Sequence, residues 1–156
     1  MNRRELLAAL GLGSVSALSG CLNLAGVDGG VLTVMSVSSS EPSNVVPSSD
    51  ERLSDEPLLQ RALDRVTQDE ARGVMDFRLD RSEYRSVADA LETLPYYDRT
   101  EHELSIPSGF YVRHDGFVYR LAYRPMCSET PLVSSENPRN RCWTSVPEGT
   151  TTLQRT

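Results

Sequence analysis

Residues 110–123 read Phe110-Tyr111-Val112-Arg113-His114-Asp115-Gly116-Phe117-Val118-Tyr119-Arg120-Leu121-Ala122-Tyr123, and this stretch decides the fold. Asp-Gly between two apolar runs suits both positive-φ positions of a type I′ turn, so a two-residue hairpin is expected. That loop fixes the register: His114 faces Phe117, Val112 faces Tyr119 and Phe110 faces Leu121 across one apolar face. The opposite face pairs Arg113 with Val118 and Tyr111 with Arg120. This mixed surface is expected of a sheet covered on one side only.

Upstream, the spacing of Leu58, Leu59, Ala62, Leu63 and Val66 gathers them on one side of a helix predicted from Asp55 to Gln68, with Ser54 as N-cap and Pro57 in the first turn. Val74–Leu79 alternates as a strand. Tyr84, Val87, Ala88 and Leu91 mark a second helix from Ser82 to Thr93, which Pro95 stops. Val31–Val37 is β-branched and apolar enough for a further strand. The order strand, helix, strand, helix, hairpin predicts an α+β fold, a small two-layer sandwich with a largely antiparallel sheet and two helices on one face. The domain is expected to span 31–124, with a mobile Ser/Pro-rich loop at 38–50 and an irregular C-terminal segment at 125–156.

The N-terminus reads as an address. Arg3 and Arg4 precede an uncharged stretch from Leu6 to Ser19 that is too short and too rich in Gly and Ser for a bilayer span. Residues 1–20 have the pattern of a signal peptide of the twin-arginine type. Leu18-Ser19-Gly20-Cys21 has the form of a lipobox, which makes Cys21 the expected lipid anchor and 21–30 a tether. Paired arginines also fit the general export route. The location implied is the extracytoplasmic face of the cell membrane. With Cys21 lipidated, Cys127 and Cys142 remain as an even pair in an exported chain, expected to form a disulfide that staples the C-terminal segment, the alternative being two reduced buried thiols.

Composition narrows the partners. The net charge is −6 and all 16 basic residues are arginines. Loss of Arg3, Arg4 and Glu5 with the leader would make the mature chain more acidic still, so nucleic acid is not an expected partner. The leader, the acidic lysine-free composition and the runs RLSDEPLLQRAL, SEYRSVADALETLPYYD and GFYVRHDGFVYRL resemble those of small lipoproteins of extremely halophilic archaea whose domain has no known function. The resemblance covers about Leu53 to Tyr123 and implies a membrane-anchored extracytoplasmic domain, with no catalytic residues to carry over.

Little here suggests chemistry. His102 lies in a charged run, Asp98 to Glu103, and His-Glu-Leu-Ser lacks the second histidine of a zinc-protease helix, so no metal or cofactor is expected. His114 stands beside the hairpin turn, and its neighbour Asp115 is expected on the opposite face of the strand. No G-x-S-x-G elbow is present, and the chain is not expected to be an enzyme. A hydrolase would require His102 or His114 to meet carboxylates from distant segments. The remaining surface is the outer hairpin face, Tyr111, Arg113 and Arg120, with Arg124 and the Tyr96-Tyr97 pair nearby. Its guanidinium groups could hold a carboxylate, a phosphate or an anionic glycan through forked hydrogen bonds. A lipid-anchored binding or interaction module of the cell envelope is therefore the expected function, its partner an envelope protein or anionic glycan. The alternative is an accessory structural lipoprotein without a dedicated ligand.

Overall fold

The computed structural model describes residues 27–38, 41–69, 73–101, 106–127 and 148–153. The leader, Cys21, His102, Cys142 and the side chain of Cys127 lie outside the described residues, as do the expectations that fall on them.

The hairpin forms with the register that Asp-Gly dictates. Strand β5 (Gly109–His114) and strand β6 (Phe117–Cys127) pair antiparallel, with Phe110 opposite Leu121, Val112 opposite Tyr119 and His114 opposite Phe117. Asp115 and Gly116 carry the positive φ angles, 48° and 85°, that a type I′ turn demands. Strand β1 (Val27–Val37) pairs antiparallel with β6 on one side and with β3 (Val74–Leu79) on the other. Short strands finish the edges. β2 (Val46–Pro47) and β4 (Tyr96–Tyr97) both join the free edge of β5, and β7 (Thr151–Thr152) lies parallel to β3. The resulting seven-stranded sheet has the order β2-β5-β6-β1-β3-β7, with β4 beside β5.

The helices α2 (Pro57–Gln68) and α3 (Arg81–Glu92) cover one face, joined by the four-residue α1 (Glu51–Ser54). Leu59, Ala62 and Leu63 of α2 and Val87 and Leu91 of α3 are fully buried against Leu32, Phe77, Val112 and Leu121 of the sheet. At roughly 1.5–3 kcal/mol for each large side chain removed from water, this layer is the main source of stability. The α+β sandwich with a largely antiparallel sheet and its helices on one face is thus the architecture of the protein.

Five boundaries differ from the sequence reading. Helix α2, expected from Asp55, starts two residues late, because Pro57 forces the residue before it out of helical geometry; Glu56 (φ −105°, ψ 92°) rather than Ser54 is the N-cap and accepts from the Leu58 amide. Asp80 caps α3 through a reciprocal capping box with Glu83. The expected tether already belongs to β1 from Val27, and Gly30 is what admits it. The Tyr84 ring rests on its Cα, where a Cβ would lie 2.1 Å from Tyr84 Cδ2. Finally, the expected loop at 38–50 supplies β2, held by the Ser48 amide donating to the Arg113 carbonyl at 2.8 Å, and the expected irregular C-terminal segment contributes the end of β6 and β7.

Candidate functional site

The outer hairpin face is less open than its sequence suggests. Tyr111, Arg113 and Arg120 do share that face, as the register requires, yet they do not converge on one patch. Tyr111 is only 1% exposed and packs in a second small cluster with Tyr97, Ile106 and Val118. Its hydroxyl donates to the Pro107 carbonyl at 2.5 Å, and burial pushes its pKa up, so it is a structural aromatic here. Arg113 is exposed and forms an ion pair with Glu41 at 2.6 Å. The reason is that the side chains of Tyr97 and Ile106 pack on the face that the alternation alone leaves uncovered.

Arg120 belongs to a different setting. Together with Arg124 it lines a cavity of about 360 Å³ at the end of the sheet where β5 begins, beside Tyr96, Phe110 and Tyr123. The aromatic wall is rigid: Phe110 meets Tyr96 edge-on at 5.1 Å and stacks on Tyr123 at 6.1 Å. Arg120 Nε donates to the Ser108 carbonyl at 2.7 Å, and its stem lies across Gly109. Among the described residues no carboxylate forms an ion pair with it. Burial lowers the Arg120 pKa; the neighbouring Tyr111 and Tyr96 phenols oppose that, and the Arg124 guanidinium adds a smaller lowering. A half-buried cation with a neutral partner and a like charge beside it is a place where an anion is stabilised. Asp98 also lines the cavity, with its Oδ1 already accepting from the Thr100 amide at 2.9 Å and hydroxyl at 2.8 Å.

A second constellation sits at the opposite end of β5, and the sequence reading did not assemble it. The His114 ring is 8% exposed. Its Nδ1 lies 2.9 Å from Ser48 Oγ and its Nε2 lies 2.9 Å from Asp64 Oδ1. The partners come from the turn after β2 and from the exposed side of α2, 66 and 50 residues away in sequence. Asp115, expected to point away, still reaches within 3.7 Å of Nε2 because the turn bends it back. The only signal available in the sequence was the position of Asp64 on the polar side of a helix that must pack over the hairpin.

Comparison with known proteins adds nothing to either site: no family model, curated protein or solved structure matches this chain. Among the described residues no helix is long and apolar enough to cross a membrane, and no group of three or more His, Cys, Asp or Glu could hold a metal ion.

Proposed function

We propose that this protein is a lipid-anchored binding module on the extracytoplasmic face of the cell membrane, and that the cavity beside Arg120 takes the anionic group of an envelope ligand. The observation that carries the binding half is the state of Arg120, a partly desolvated guanidinium that, among the described residues, pairs with no carboxylate, donates to the Ser108 carbonyl and lines a cavity. The aromatic wall of Tyr96, Phe110 and Tyr123 suits the apolar face of a sugar ring, and the Arg120 guanidinium suits its carboxylate. An anionic glycan, such as one bearing uronic acids, satisfies both. The anchoring half is supported by the leader and by the Leu18-Ser19-Gly20-Cys21 sequence. The resemblance to lipoproteins of halophilic archaea supports the same reading and suggests binding in concentrated salt, where the Debye length is only about 3 Å at 1 M. Affinity there must come from contact rather than from long-range attraction, as a walled cavity provides.

The test is calorimetric titration of the detergent-solubilised protein with a uronate-bearing oligosaccharide in molar salt. Binding that survives Arg113→Gln and disappears with Arg120→Gln is expected. Equal binding by wild type and Arg120→Gln would remove the cavity from consideration.

A further inference from the structure

We propose that Ser48, His114 and Asp64 form a nucleophile site able to take an acyl group from a neutral carboxylic ester. The site is independent of the Arg120 cavity. The two lie at opposite ends of β5, at His114 and at Gly109.

The geometry supplies the parts in working order. With the ring proton on Nε2, that nitrogen donates to Asp64 Oδ1, which leaves Nδ1 as the acceptor for the Ser48 hydroxyl. The two ring nitrogens thus do the work of base and orientation point. Burial of the imidazole holds it between its partners. Ser48 is held at both ends of its own peptide unit, its amide donating to the Arg113 carbonyl at 2.8 Å and its carbonyl accepting from Gln60 Nε2 at 2.9 Å. The nucleophile is therefore positioned by main-chain contacts, while its side chain stays part-exposed. Such preorganisation removes much of the entropic cost of bringing the groups together.

In the step itself, Ser48 Oγ adds to the ester carbonyl as its proton passes to His114 Nδ1. Collapse of the adduct breaks the bond to the alkoxide, which leaves with the proton from Nδ1 as an alcohol. Water then attacks the acyl-serine, giving its proton to Nδ1 and releasing the carboxylic acid. Ser48 recovers its proton from the same nitrogen. Asp64 takes no proton in these steps and acts as a positioning residue, facing the imidazolium that forms in each half.

Charge selects the substrate class. The groups facing His114 are Asp64 from α2 and Asp115 from the turn, both anionic, whereas Arg113 points to the other face and is paired with Glu41. Two carboxylates at the ring repel phosphate esters and tolerate neutral carboxylic esters.

The full chain should therefore react with a fluorophosphonate probe and be acylated by p-nitrophenyl acetate, with peptide mapping placing both adducts on Ser48. Ser48→Ala should lose them. His114→Gln should slow labelling by about 100-fold or more. Asp64→Asn changes an exposed carboxylate and keeps the shape of the cluster; it should slow labelling and move the pH profile while the melting temperature stays near that of wild type. This variant decides the matter if His114→Gln fails to fold, because a merely structural cluster would leave the pH profile where it was. Absence of an adduct on Ser48 in folded protein, or a rate and pH profile unchanged by Asp64→Asn, would overturn the proposal.

Discussion

Gly109 and Arg120 occupy one spot on the sheet: a Cβ built on Gly109 would lie 2.9 Å from Arg120 Nε and 3.0 Å from its Cγ. The missing side chain of one residue is the seat of the other. Gly109→Ala is therefore expected to displace the guanidinium, break its bond to the Ser108 carbonyl and cost roughly 1–3 kcal/mol as an overpacked contact. Adding Arg120→Ala should restore part of that stability, since two of the three close contacts vanish; the third, with the Leu121 carbonyl, remains. Urea melts of the two single variants and the double variant measure this coupling. Strict additivity would mean that the two residues do not share the spot.

Gly30→Ala should be more damaging. Its Cβ would meet the Tyr84 ring at 2.1 Å and the Arg124 carbonyl oxygen at 2.6 Å, so either the ring leaves the core or β1 separates from β6. A loss of about 3 kcal/mol or more is expected, beyond the ordinary range for overpacking because main chain is involved. Thermal melts check it, and a near-neutral result would mean that β1 does not pass beneath Tyr84.

Asp50 provides a pH signature. Its carboxylate takes hydrogen bonds from the Arg52 side chain and amide, which hold its pKa at about 2 against an ordinary 3.8. A pKa depressed by folding contributes stability above the unfolded value, and that contribution is lost as pH falls through the folded one. The loss should fall between 3.8 and about 2. Because the pair is exposed, its contribution to stability is small, and NMR titration of the carboxyl carbon is the suitable measurement. Arg52→Gln should return the midpoint toward 3.8.

The proposed anchor rests on one side chain. Cys21→Ser should leave the protein unlipidated and release it from membranes or leave it unprocessed, as judged by intact mass and fractionation. Retention with unchanged mass would contradict the lipobox reading. In protein taken directly from cells, Cys127 and Cys142 are expected to resist alkylation until reduced.

What could be read from the residues was set by local rules. The hairpin register followed from Asp115-Gly116, because a two-residue turn leaves no choice of pairing, and the buried stripes of α2 and α3 followed from helical spacing. The starting point of α2 was also within reach, for Pro57 constrains Glu56 whatever the rest of the chain does. Other features depend on contacts between distant segments. Nothing near Tyr111 announces that Tyr97 and Ile106 will cover it. Two-residue strands such as β2 and β7 are too short to show alternation and exist only because an edge is available. The Ser48, His114 and Asp64 cluster is the extreme case, since no local pattern links an ordinary serine, a turn-side histidine and a helix-surface aspartate.

The early start of β1 has a spatial consequence. Only six peptide steps separate Cys21 from Val27, a reach of about 20 Å at full extension. A lipid on Cys21 would thus hold the central strand close to the bilayer and give the sheet a lower and an upper end. Arg124 pairs with Val31 in the first half of β1 and Arg120 with Met35 nearer its finish, whereas the hairpin tip lies beyond Val37. The Arg120 cavity would then lie partway along β1 and nearer the bilayer than Ser48 and His114, which would stand at the end away from the cell. Lengthening the tether would change the height at which each meets its molecules without altering a single contact inside the fold.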